Sequence, residues 1–309
     1  MKTPLRVLAG FVAVCLLVGL SARADDIRID KDDRMVTVTA DGKTVMKYRY
    51  GDGPFRPYVI ELYTPGGVQI LRDSPPDHVH HRALMFAIGV DGVDFWGETA
   101  KCGKQTHQAL EPVVSSKLNG WSSTRLCQKL DWRDAEGKSM LRETRTLCVI
   151  RQADLGATLL SWHTTLSAPE DQASAKLDGR HYFGLGMRFV VSMDQEGTML
   201  NAAGKEGEAV RGSEQLVPAK WVAYSAAADG KPVTAALFDH PSNPRHPAHM
   251  FTMTKPFAYL SATLNLKKES LEIKAGQPLH LSYGVAVWDG SQSAEQIEKL
   301  YQRWLALEK

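Results

Sequence analysis

The feature that most constrains the fold is a succession of short β-prone runs, each closed by a Gly, Pro or Asp turn signal. Residues 35–40 (MVTVTA) alternate with period two, and Asp41-Gly42 is a two-residue hairpin turn leading into residues 44–50. Residues 58–64 (YVIELYT) form a further run that stops at Pro65-Gly66-Gly67. Residues 124–132 and 140–150 bracket the turn Ala135-Glu136-Gly137-Lys138. The pattern continues over residues 155–168, 186–193, 220–226, 233–238, 258–266 and 279–288. Short strands at regular spacing predict an all-β chain, a large antiparallel β-sandwich, rather than alternating β-α units. Only residues 293–307 read as helix. Ile297, Leu300, Tyr301, Trp304 and Leu305 recur at helical spacing behind Ser293 as N-cap, with Gln296 three residues on. No linker or repeat divides the chain, so residues 25–309 are expected to be one domain.

The N-terminus has the form of an export signal. Lys2 and Arg6 precede an uncharged run over residues 7–20, followed by Ser21, Ala22, Arg23 and Ala24. The run is short for a membrane span, which needs about 20 apolar residues, so cleavage near Ala24 and a periplasmic or secreted protein are expected. Removing Lys2, Arg6 and Arg23 from the 37 basic residues leaves 34 against 35 acidic. A near-neutral chain without a basic block lacks the footprint of a nucleic-acid binder, and no later run approaches membrane length. Cys102, Cys127 and Cys148 remain, and in an oxidising compartment Cys127 and Cys148, flanking a hairpin, are the expected disulfide.

Three segments could carry chemistry. The first is Asp77-His78-Val79-His80-His81-Arg82, joined by a second histidine group in Asp239-His240-Pro241-Ser242-Asn243-Pro244-Arg245-His246-Pro247-Ala248-His249. Both are Pro-bounded loops, where binding groups tend to sit. His78 and His80 share a face if extended and could hold a divalent or transition metal with His240, Asp77 or His246 completing the set. The same imidazoles suit general acid-base work, or equally the capping of loop carbonyls. The second segment is Asp94-Phe95-Trp96-Gly97-Glu98. A carboxylate beside an indole suits a sugar, the ring covering C–H faces and the carboxylate accepting hydroxyl protons, and it suits a plain turn as well. The third is Arg180-His181-Tyr182-Phe183-Gly184-Leu185-Gly186-Met187-Arg188, where Arg188 enters an apolar run and needs a carboxylate partner or an anionic ligand. Nucleophile-elbow, zincin, Walker A and dinucleotide motifs are absent from the sequence.

These segments, in order, resemble a bacterial family that circulates under the label methane oxygenase PmoA. The resemblance rests on Asp77-His78-x-His80-His81-Arg82 with Asp94-Phe95-Trp96, on Gly-x-Gly-x-Arg ending at Arg188, and on His240-Pro241-x-Asn243-Pro244-Arg245-His246-Pro247. It departs from the family pattern at Ala83, Asp91 and Trp288, where glycine, asparagine and histidine are usual. An oxygenase subunit of many spans does not fit this chain. The resemblance implies instead a supersandwich similar to galactose mutarotase, with a small-molecule or oligosaccharide ligand on a concave sheet face. Three readings follow. The first is a carbohydrate-active epimerase, lyase or hydrolase. In it His80 or His81 is the acid, Glu98 or Asp94 the base, and Arg82 the polarising group, while Trp96, Arg188, His240, Asn243, Arg245 and His246 bind substrate. The second is a non-catalytic saccharide-binding protein. The third is a metal-dependent oxidoreductase with His78, His80 and His240 as ligands.

Overall fold

Side chains of a strand point alternately to opposite faces, and this chain uses the rule to build two cores. The computed structural model describes residues 27–118, 121–152, 154–194 and 196–308. The expected leader at residues 1–24 lies outside them. A ten-stranded antiparallel sheet runs in the order Ile27–Lys31, Met35–Ala40, Lys43–Arg49, Tyr58–Leu62, Leu84–Ala87, Gly184–Arg188, Tyr259–Thr263, His249–Met253, Glu214–Pro218, Glu208–Arg211. A second sheet runs Thr198–Asn201, Trp221–Ala228, Lys231–Asp239, Leu279–Asp289, Ala157–Ser167, Ser139–Gln152, Trp121–Arg133, Lys104–Leu110, with Val114–Leu118 also pairing to Trp121–Arg133. A small four-stranded sheet (Leu271–Lys274, Ser174–Asp178, Gly89–Val90, Val93–Asp94) stands beside them.

The main core joins the inner faces of both large sheets, among them Leu185, Met187, Leu260 and Met250 with Leu160, Val222, Tyr224, Leu237, Val285 and Val287. Their neighbours in sequence point the other way. Leu159, Trp221, Ala223, Ala236, Phe238 and Ala286 face outward and are covered by the C-terminal helix Ala294–Leu307 through Ile297, Leu300, Tyr301 and Trp304. The all-β sandwich with a C-terminal helix is thus as the patterning predicts. Ser293 caps the helix in a full capping box with Gln296. Gly284 permits the close approach of the helix, since a Cβ there would stand 2.8 Å from the Phe238 ring and 3.0 Å from Trp304.

Two expectations need correction. Cys127 and Cys148 are free thiols. Cys127 pairs with Thr146 and Cys148 with Arg125, so the two cysteines are diagonal rather than opposed. Diagonal positions stand about 7–8 Å apart, wider than a disulfide spans. The run at residues 186–193 also ends as a strand at Arg188, and residues 191–193 form a 3-10 turn.

Candidate functional site

The outward face of the ten-stranded sheet carries a floor set by register. Gly186 pairs with Ser261 and Arg188 with Tyr259, while Phe251 and Met253 on the next strand pair with the same two residues. Paired residues share a face, so Arg188, Tyr259, Ser261, Phe251 and Met253 surround the bare Gly186. Glycine is required here by close approach: a Cβ at Gly186 would lie 2.0 Å from the Tyr259 hydroxyl and 3.1 Å from the Trp96 ring. Without a side chain at that point, the phenol and the indole both settle onto the sheet.

Two loops close over this floor. The first is pinned by an Asp73–Arg82 bridge, by the Ser74 N–H donating to His81 O at 2.9 Å, and by the His81 N–H donating to His78 O at 2.9 Å. This tight winding gathers three imidazoles, with ring centroids of His78, His80 and His81 between 4.7 and 5.7 Å apart. In the second loop the Asp94 carboxylate accepts the N–H groups of Trp96 and Gly97 at 2.6 and 3.0 Å, and the indole stacks on Phe183 at 5.1 Å. Arg56, which carries no motif, ties the loops together. Its Nη1 donates to His80 O and Glu98, and its Nη2 to the carbonyls of Phe95, Trp96 and Gly97.

Between loops and floor lies a cavity of about 480 Å³. Trp96, Tyr182, Phe251, Phe257 and Tyr259 provide aromatic walls, and His78, His80, His81, Glu214 and Arg211 the polar groups. Glu214 is buried and held by His181 at 3.1 Å and Arg211 at 2.6 Å. Three lining residues keep a buried polar atom without a hydrogen-bond partner: His81 Nδ1, Trp96 Nε1 and the Tyr259 hydroxyl. A wider depression of about 830 Å³ adjoins beyond His181, lined by His249, Lys205, Lys267 and Lys268 together with residues 206–210 at the start of the edge strand Glu208–Arg211.

Burial sets the charge states. Desolvation, helped by the neighbouring His80, His78 and Arg188, pushes His81 down to about 2. Desolvation also lowers His80, with His78 and Arg56 adding to it. Both imidazoles are therefore neutral at ordinary pH. Desolvation holds the Tyr259 phenol well above its usual value, so it stays protonated.

The structure brings His78, His80, His81 and Trp96 into the cavity and sets other expected residues behind it. Glu98 is only 5% exposed and both its oxygens take guanidinium groups: Arg82 Nε at 2.8 Å and Nη2 at 2.5 Å, and Arg56 at 3.1 Å. With both oxygens held by guanidinium groups, Glu98 and Arg82 position the loop, and Asp94 caps a turn. The second histidine group forms a separate cluster. His246 and Asn243 bind the buried Asp239 at 2.6 and 2.7 Å, His240 rests on Trp304, and Arg245 donates to the carbonyls of Leu264, Glu269 and Ser270. This loop precedes His249, whereas Phe257 follows Met253 at the other end of the strand His249–Met253. That strand alone spans about 13 Å at roughly 3.3 Å per residue. The composite site of both histidine groups, including a metal set of His78, His80 and His240, therefore does not form. Among the described residues no group of three or more His, Cys, Asp or Glu side chains is arranged to hold a metal ion. No helix of the described residues is long and apolar enough to cross a membrane.

Sequence reading missed Arg56, Tyr182, Glu214, Phe251, Phe257 and Tyr259. Tyr182 stood inside a glycine-flanked segment that drew notice, but the others read as ordinary strand and turn residues.

Among solved structures the chain is similar to the alpha-galactosidase from Lactobacillus brevis, with TM-score 0.48 and 9% identity over 91% of this chain and 42% of that one. It is also similar to the galactosidase domain of the alpha-galactosidase-sucrose kinase AgaSK, with TM-score 0.43 and 8% identity over 86% and 42%. A third is the Slr1438 protein from Synechocystis sp. PCC 6803, with TM-score 0.41 and 10% identity over 86% and 98%. The chain spans less than half the length of the two galactosidase chains. No curated protein matches the sequence. The methane oxygenase label attached to the motifs finds no support in the family match, whose description names no activity. Residues 35–302 match the family described as "Family of unknown function (DUF6807)", and the chain belongs to that family.

Proposed function

We propose that this is an exported, carbohydrate-active protein that binds a sugar in the cavity beneath the His78–Arg82 loop and acts on it by proton transfer. The observation that carries the reading is the set of unpartnered buried atoms, His81 Nδ1, Trp96 Nε1 and the Tyr259 hydroxyl, in a cavity walled by aromatic rings. Aromatic faces cover the C–H side of a pyranose, and stranded donors and acceptors are met by its hydroxyls. Uncharged imidazole accepts a proton and a protonated phenol gives one. His80 is thus the base and Tyr259 the acid, both lining the cavity, while His81, its ring 5.2 Å from that of Tyr259, offers a polar contact to the ligand. An acid and a base on different elements suit an epimerisation or elimination at a sugar carbon, or attack at the anomeric centre.

The test is a saccharide panel followed by NMR for both binding and turnover. His80→Gln and Tyr259→Phe should keep binding and lose about 100-fold or more of turnover, the usual share of one acid-base group. Binding without turnover of any sugar by the unaltered protein makes it a saccharide-binding protein. Absence of binding across the panel removes the reading altogether.

A further inference from the structure

Among the described residues three arginines have fully buried side chains: Arg56, Arg145 and Arg188. Arg145 is satisfied at every nitrogen, and Arg56 at both Nη atoms though not at Nε. Arg56 reaches four carbonyls and Glu98. Arg145 binds Glu143 through Nε and Nη2, and Gln105 and Pro57 O as well. Arg188 is the exception: its Nε and Nη1 have no hydrogen-bond partner, and Nη2 reaches Asp194 only at 3.8 Å. Asp194 is shared, since Arg72 stands 3.7 Å from the same oxygen and the other oxygen accepts the Ala258 N–H at 2.9 Å. One carboxylate thus faces two guanidinium groups and is bonded to neither. A buried guanidinium without hydrogen-bonded compensation is costly to a fold, and Arg56 and Arg145 each carry several hydrogen bonds including one to a carboxylate.

The position of Arg188 supplies a reason. It pairs with Tyr259 across the sheet on the face that floors the cavity. Its guanidinium carbon lies 3.4 Å from the centroid of Phe257, whose ring also lines the cavity. Phe257 therefore stands between a guanidinium with two unbonded nitrogens and the proposed sugar site. The ring belongs to the turn between His249–Met253 and Tyr259–Thr263 and has exposed neighbours in Lys255 and Pro256. Lys255 adds a second cation to the cavity rim.

Resting on the saccharide reading above, we propose that the substrate is an acidic sugar whose carboxylate binds Arg188, with Phe257 as the cover that yields to it. A planar guanidinium presents paired N–H groups that match a carboxylate's two oxygens. Neutral imidazoles beside it accept a ring proton without competing for that anion.

The experiment is calorimetric titration of the purified protein with digalacturonate, with its methyl ester and with galactose 6-sulfate. Digalacturonate is expected to bind at least tenfold tighter than the ester or the sulfate. In Arg188→Met that preference disappears while the protein stays folded by circular dichroism. Arg188→Lys, which keeps the charge and the volume, loses most of the preference too, and serves if the methionine variant is poorly folded. Equal binding of digalacturonate and ester, with both bound, overturns the carboxylate assignment and leaves the sugar cavity standing. Sulfate binding as tight as digalacturonate overturns it as well, in favour of unspecific anion attraction. Failure of every saccharide, including neutral ones, overturns this inference together with the reading beneath it.

Discussion

His81 is the group whose titration the fold most directly opposes. It is 8% exposed, packed against Phe257 and Tyr259, and its folded value of about 2 lies far below the usual 6.5 of a free histidine. The sign follows from proton counting. Between pH 6.5 and 2 the unfolded chain binds a proton at this position and the folded chain does not, so stability rises with pH across that window and is lost on acidification. The loss depends only on the unfolded value once the folded one is far lower. It amounts to about 0.8 kcal/mol at pH 6 and about 2 kcal/mol at pH 5, with almost none at pH 7.5. His81→Gln keeps a polar side chain of similar reach and cannot titrate. Urea unfolding of both proteins at pH 7.5, 6 and 5 isolates the term, because every other titrating group cancels in the difference. The variant should lose about 2 kcal/mol less than the parent between pH 7.5 and 5. Parallel pH profiles, or an NMR titration of His81 near 6.5, would refute the argument that burial keeps this imidazole neutral.

Other perturbations follow from the same geometry. Arg188→Met removes a buried cation whose Nε and Nη1 make no hydrogen bond, and Asp194 keeps Arg72 beside it, so unfolding in urea should show it no less stable than the parent. Glu98→Ala does the reverse, leaving Arg56 and Arg82 without their shared carboxylate, and should cost about 3–5 kcal/mol in the same assay. Gly186→Ala drives a methyl into the Tyr259 hydroxyl, so saccharide affinity should fall with only a modest change in melting temperature. His246→Ala breaks a contact to Asp239 at the far end of the sheet strand, and saccharide titration should find sugar affinity unchanged.

The fold was legible because alternation with period two is a local signal. Residues 35–40 and the Asp41-Gly42 turn are found where the pattern places them, with Asp41 and Gly42 at φ of 52° and 76°. The helix was equally legible from its capping box and its stripe of Ile297, Leu300, Tyr301 and Trp304. Strands such as His249–Met253 and Glu214–Pro218 were not, because their residues carry no alternation that distinguishes them from loop. The site was half legible. Histidines and Trp96 stand out by type, whereas Tyr259 and Phe251 become site residues only through register with Gly186 and Arg188. The same limitation explains the misplaced partner loop: two histidine groups alike in sequence sit at opposite ends of one strand. Glu98 looked like a base until Arg56, more than forty positions upstream, proved to hold it.

The most direct test of the sugar cavity is NMR observation of the histidine side chains during titration with saccharides. The account predicts ligand-induced shifts at His78, His80 and His81, absent in Trp96→Ala, with His240 and His246 unmoved. Shifts confined to His240 and His246, or none at any histidine with any sugar, would contradict it.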